Sequence, residues 1–195
     1  MAKLPIPEYV NLIREKIGDD EYIPVAIRMI LSENGIKEYP INAFEIAKKL
    51  GFTIKYAEFK DSTISGILWD GVEEAIFGNE GYKRVMIINS KESPERQLFT
   101  VAHEIGHFML HCNENSNFYE RYISAGNKSV DPEEKRMEDK ADYFAANLLL
   151  PEDILNRYIK VNNLKNRRDI EYAVASSFFV EKETVSRRLD EIGYE

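Results

Sequence analysis

The sequence predicts an α+β fold, and three observations carry the prediction. Helical segments with recognisable starts and stops fill the first fifty positions, the apolar period shortens to two between residues 53 and 89, and helical spacing returns from Ser93 onward. That order implies a small antiparallel sheet packed on a long central helix, with helices before it and a helical tail after it.

Residues 8–17 and 22–34 read as helices; Pro24 sits near the start of the second and Gly35 at its end. Residues 41–51 read as a third, closed by Gly51. Segments 53–59, 64–69, 74–78 and 84–89 read as short strands separated by Gly, Asp and Asn turns. Ser93-Pro94-Glu95 then supplies a capping serine, a proline at the first helical position and an acid in the first turn. The helix it opens runs to His111, with Leu98, Val101, Ala102, Ile105, Phe108 and Met109 at helical spacing. Gly106 costs this helix about 1 kcal/mol, which a close approach of another backbone would explain. Asp131-Pro132-Glu133-Glu134 starts a further helix that Pro151 closes.

A length of 195 residues accommodates one compact domain, expected over 1–152, and a small helical appendage over 153–195. The formal charge of −8 suits a soluble protein and argues against a surface that coats nucleic acid. No apolar N-terminal segment and no run of about eighteen apolar residues occurs, so neither secretion by that route nor membrane spanning is expected, and a cytoplasmic location is. Cys112 is the only cysteine; it excludes an intrachain disulfide and reads as a small buried or half-buried thiol rather than a ligand.

The chemistry concentrates in His103-Glu104-Ile105-Gly106-His107. Two histidines four residues apart on a helix lie about 40° apart around its axis and one turn apart along it, so both imidazoles reach one metal ion. Glu104 stands where a carboxylate can take a proton from water activated by the metal. A hydrolytic zinc site needs a third protein ligand and an open fourth position. Downstream, Glu138 and Asp142 are four apart and share a helix face. That arrangement suits a carboxylate ligand together with an acid that orients a ligand histidine through its other ring nitrogen.

RQLFTVAHEIGHFMLH followed by EDKADYFAANLLLP resembles the ImmA/IrrE family of zinc metallopeptidases, which join HExxH to a glutamate from a following helix. The segment PINAFEIAKKLGFTIKY is similar to that family's early helix and first strand, so the resemblance spans roughly residues 20–151. By position it implies His103, His107 and Glu138 as zinc ligands, Glu104 as general base, and Asp142 in the place usually taken by Asn or Asp. Glu133, Glu134 and Asp139 are nearby acids, but none has both the partner at i+4 and the motif position. The resemblance further implies limited proteolysis of a regulatory partner, a helix-turn-helix repressor or antitoxin-like protein.

His111 continues the four-residue series but lies about 12 Å along the axis from His103, too far to share its metal. It also falls four residues after His107, where the metzincin pattern puts its third histidine at six. It reads as a capping or packed histidine at the helix end, with substrate contact as the other role. The sheet is expected to leave a free edge above the metal, to which an extended peptide can add main chain to main chain. The polar stretch 113–131, holding Tyr119 and Tyr122, reads equally as a lid or as an ordinary surface loop.

Ala175 to Leu189 is similar to the helix-turn-helix pattern A-x-x-x-G-V-S-x-x-T-V-S-R-x-L, with Phe179 in place of the turn glycine and Glu181 in place of the serine that opens the second helix. From Asp153 onward Lys and Arg number eight and so do Asp and Glu, leaving this part neutral. Nucleic-acid binding depends on cationic contacts to phosphate, so a helical pair that packs on the body or holds a protein partner is expected ahead of DNA binding.

The sequence therefore predicts a zinc-dependent endopeptidase that acts on a regulatory protein partner. The rivals are a non-catalytic regulator and a toxin-like module, each binding a protein or DNA through the same fold. The intact Glu104 favours the enzyme, since a purely structural zinc site needs no base and closes its fourth position.

Overall fold

A computed structural model describes residues 5–16, 22–72, 82–111 and 131–194. Its helices are α1 (Glu8–Lys16), α2 (Ile23–Glu33), α3 (Ala43–Lys49), α4 (Pro94–Leu110), α5 (Pro132–Leu149), α6 (Glu152–Val161), α7 (Arg167–Phe178) and α8 (Lys182–Glu191). The strands are β1 (Thr53–Ala57), β2 (Gly66–Val72) and β3 (Tyr82–Asn89). The class is α+β, as expected. The strand expected at 74–78, Cys112, and the stretch 113–130 with Tyr119 and Tyr122 lie outside the described residues.

Local chemistry sets the helix starts. Ser93 Oγ accepts from the Arg96 amide at 3.1 Å and Asp131 Oδ1 from the Glu133 amide at 3.0 Å, with Pro94 and Pro132 following each cap. Asn42 caps α3 in the same way, and Gly51, at φ +88°, turns the chain out of it into β1.

The sheet departs from the expected antiparallel arrangement. Its order is β1-β3-β2, with β2 antiparallel to β3 but β1 parallel to it. Period-two alternation marks a strand without naming its partner. The chain between β1 and β3, which contains β2, is long enough for the crossover that a parallel pair requires. A buried ion pair holds the antiparallel register. Arg84 of β3 sits opposite Asp70 of β2 and donates to its Oδ1 at 3.0 Å. The same guanidinium donates to the Leu50 carbonyl at 2.7 Å, which ties the end of α3 to the sheet.

Helix α4 is buried over nearly its whole length and packs against α3, the sheet and α5. Its approach to α5 is closest at Gly106. A Cβ built there would stand 3.2 Å from Ala141 Cα, from the Ala141 carbonyl and from Phe144 Cβ. The sequence reading that Gly106 admits another backbone is met by α5.

The C-terminal helices share the core with the rest. Ile170, Val174, Phe178, Val185 and Leu189 belong to the same buried cluster as the α4 and α5 side chains. Tyr39 stacks on Phe178 with ring centroids 4.4 Å apart, and buried Arg188 donates to the Leu150 carbonyl at 3.1 Å. Phe179, standing where the helix-turn-helix pattern has glycine, still adopts the left-handed conformation, at φ 59° and ψ 50°. A side chain in that region carries roughly 1–2 kcal/mol of steric cost, which burial of Phe178 and Val180 on either side opposes.

Gly106→Val should separate α4 from α5, because the atoms its side chain meets are backbone or first side-chain carbons that cannot swing aside. We expect a loss of about 1–3 kcal/mol, measured as a lower urea midpoint at unchanged slope. An unchanged midpoint would mean that the two helices are not held at this distance.

Candidate metal centre

Helices α4 and α5 bring four sequence-picked residues together. His103 and His107 point the same way from α4, their Nε2 atoms 2.8 Å apart and both rings buried. Glu138 reaches across from α5, Oε2 lying 3.3 Å from His103 Nε2 and Oε1 3.3 Å from His107 Nε2. One donor atom from each of the three lies within 4.8 Å of the others, an arrangement able to hold a metal ion. Asp142, one turn along α5, accepts from His103 Nδ1 at 2.9 Å and so fixes which nitrogen faces inward.

His111, read from the sequence as a capping or packed histidine with substrate contact as the other role, packs on His107. Its backbone closes α4, donating to the His107 carbonyl at 2.9 Å, while its ring shares a hydrogen bond with His107, Nδ1 to Nδ1, at 3.0 Å. Each histidine of the pair thus has an outer partner, Asp142 for His103 and His111 for His107. The four-residue spacing was the available signal, since it puts His111 on the same helix face one turn on.

The charges around the cluster are arranged against burial. Burial disfavours a charged His103, but hydrogen bonds to Asp142 and Glu138 override it and raise its pKa to about 10. Burial, with the facing His103, lowers His107. Burial would raise Glu138, yet both histidines donate to it and bring it down to about 2. Burial and the nearby Lys140 lower His111. Two imidazoles and a carboxylate converging on one point form a donor set that suits a divalent first-row ion.

Glu104 is fully buried beside this cluster, and among the described residues neither of its carboxylate oxygens has a hydrogen-bond partner. Burial pushes its carboxyl up to about 8, against the charge on His103 and with the help of Glu138. The start of β2 presses on it. A Cβ on Gly66 would lie 3.0 Å from Glu104 Oε1 and only 2.6 Å from Thr100 Cγ2, so this position admits no side chain without displacement.

The pairing of β2 exposes main chain at the same point. The Asn89 amide donates to the Ser65 carbonyl at 2.9 Å, which makes that opposed pair hydrogen-bonded. The next pair, Gly66 with Ile88, is then non-hydrogen-bonded, so the Gly66 N–H and C=O turn away from β3. Among the described residues no strand lies on that side of β2. Among the described residues the β2 edge is thus open where it passes Glu104, a placement that needed tertiary contacts to be seen.

On the Asp142 side a cleft of about 500 Å³ opens between three helices. Arg96 and Phe99 of α4, Asp139 and Tyr143 of α5, and Glu183 and Arg187 of α8 line it. Arg187 reaches Asp142 Oδ2 at 3.4 Å. The second helix of the helix-turn-helix-like pair thus borders the site, which nothing in its local pattern signals.

Among the described residues no helix is long and apolar enough to cross a membrane. No curated protein matches the chain significantly. A solved structure of a Mycobacterium tuberculosis transcriptional regulator is similar in fold, with a TM-score of 0.55 at 14% identity, covering 95% of this chain. The chain spans about half of that protein, 52% of its length. The peptidase family described as the IrrE N-terminal-like domain matches residues 47–190, a stretch that holds all three strands, both inward-facing histidines, Glu104 and Glu138. The chain belongs to that family.

Proposed function

We propose that the chain is a zinc-dependent endopeptidase that inactivates a regulatory protein, a helix-turn-helix repressor, by limited proteolysis. The observation that carries the reading is Glu104, a buried carboxylate with no partner among the described residues, beside two histidines and a glutamate that converge on one point. A site built only to hold a structural ion has no use for such a group. The repressor as substrate rests on the family resemblance.

His103, His107 and Glu138 would hold the ion, with Asp142 and His111 fixing the two rings. A zinc ion bound there supplies Lewis acidity, polarising the scissile carbonyl and acidifying water. Glu104 accepts the proton of the attacking water and delivers it to the leaving amine nitrogen. Burial raises the Glu104 pKa in the metal-free cluster, and the charge of an ion bound beside it would lower it again and favour the carboxylate that accepts the proton. The Gly66 N–H and C=O pair with an extended substrate strand along β2 and bring its main chain past Glu104. The open lateral edge accepts a chain that continues in both directions, which favours internal cleavage.

Two experiments test the reading. The first follows protons. In the metal-free protein hydrogen bonds to Asp142 and Glu138 raise the His103 pKa against burial, to about 10, so zinc binding near neutrality should displace a proton. The proton competes more strongly as pH falls. Affinity should therefore rise about tenfold per unit from pH 6 to 8, with at least about one proton released in calorimetry across buffers of different ionisation enthalpy. Binding without proton release would contradict the raised pKa of His103. The second experiment isolates the base. Glu104→Gln should retain zinc and fold but cut cleavage of a co-purified or genomically adjacent repressor by about 10²–10⁴-fold. Undiminished cleavage would remove Glu104 from the reaction.

A further inference from the structure

We propose that Arg187 is a positioning residue of the metal centre, acting through Asp142 on His103, and that α8 is thereby part of the catalytic unit rather than a DNA reader. The inference rests on the metal-binding reading above and assigns a role within it to a residue outside the motif helices.

Asp142 uses its two oxygens for two different partners. Oδ1 accepts from His103 Nδ1 at 2.9 Å, and Oδ2 faces Arg187 Nη1 at 3.4 Å. A second partner at Oδ2 disfavours rotation of Oδ1 off the ring, and so favours the orientation of His103 toward His107 and Glu138.

The placement of Arg187 is not left to its own flexible side chain. Its helix is anchored by Val185 and Leu189, both fully buried, and by Arg188, which donates to the Leu150 carbonyl at the end of α5 and pairs with Glu191 at 3.1 Å. Arg187 stands at the arginine of the T-V-S-R segment, where the helix-turn-helix pattern would offer it to a nucleic acid. Here the same side chain is turned along the cleft toward α5. A phosphate contact would draw it away from Asp142.

Magnitude limits the claim. Arg187 is 65% exposed, so the pair is screened by water and salt and contributes little to folding. Its effect should appear in metal affinity, where a direct partner of a ligand histidine is worth about 10–100-fold and a partner of that partner less.

The test is zinc affinity by competition with a chromogenic chelator, together with urea unfolding of the metal-free proteins. Arg187→Ala should weaken zinc binding about 2–5-fold at low salt, with unfolding unchanged. Arg187→Lys should bind nearly as wild type, because a single charged donor suffices for a one-atom contact. Arg187→Glu should bind more weakly than Arg187→Ala, since it sets a like charge beside Asp142. The differences should shrink at about 1 M salt, and Arg187→Ala should have no further effect once Asp142→Asn is present. Equal affinity for wild type and the Ala, Lys and Glu variants would overturn the proposal, as would an Arg187→Ala loss that persists in the Asp142→Asn background. A wild-type protein that binds no zinc would instead overturn the metal reading beneath it.

Discussion

The contact between α4 and α5 at Gly106 is the constraint on which the site depends. The missing side chain lets Ala141 and Phe144 come within 3.2 Å of where a Cβ would stand. Glu138 and Asp142 flank that contact on α5, and His103 and His107 flank it on α4. The separation of the two backbones therefore decides whether a carboxylate of ordinary length reaches both inward nitrogens. A glycine that weakens the helix locally thus allows the close approach that brings the donor atoms together. The sheet adds the other wall, with Gly66 making an equally close approach to Thr100 and Glu104. Two glycines thus set how closely α5 and β2 approach α4 at the candidate metal centre.

Within that frame the electrostatics follow from compensation. Removing histidines and carboxylates from water is costly unless each is matched by an opposite charge or a hydrogen bond. Glu138 is matched by both histidines, His103 by Asp142, and His107 by the ring of His111. Glu104 is the member left without such a match among the described residues, and its carboxyl is pushed up accordingly. A strained group in an otherwise satisfied cluster is where function is expected to reside. The same accounting brings α8 into the site, since Asp142 balances its charge on Arg187 as well as on His103.

Much of this was legible in the sequence, wherever the relevant physics is local. The caps at Ser93 and Asp131, the long buried helix and the shared face of His103 and His107 all follow from one helical period and short-range hydrogen bonds. The pairing of Glu138 with Asp142 was legible for the same reason, and the family resemblance supplied the role of each. What escaped depends on contacts between distant segments. Alternation gave the strands but not the parallel pairing of β1 with β3. Gly66 was not distinguished within the strand expected at 64–69, and its close neighbours Thr100 and Glu104 come from α4. Arg187 lies in the segment similar to the helix-turn-helix pattern, and only the packing of α8 on α5 turns it toward Asp142. His111 falls between these cases: its spacing was visible, whereas its hydrogen bond to His107 depends on the ring orientation that the site imposes.

The central claim is that His103, His107 and Glu138 form one metal centre. The most direct measurement is zinc content per chain, by mass spectrometry of protein reconstituted with zinc and freed of excess, for wild type and for Glu138→Ala. The account predicts close to one zinc per wild-type chain and a large loss of affinity in the variant, because two imidazoles alone leave the donor set incomplete. A wild-type protein without zinc, or a Glu138→Ala protein that holds it as tightly, would contradict the account.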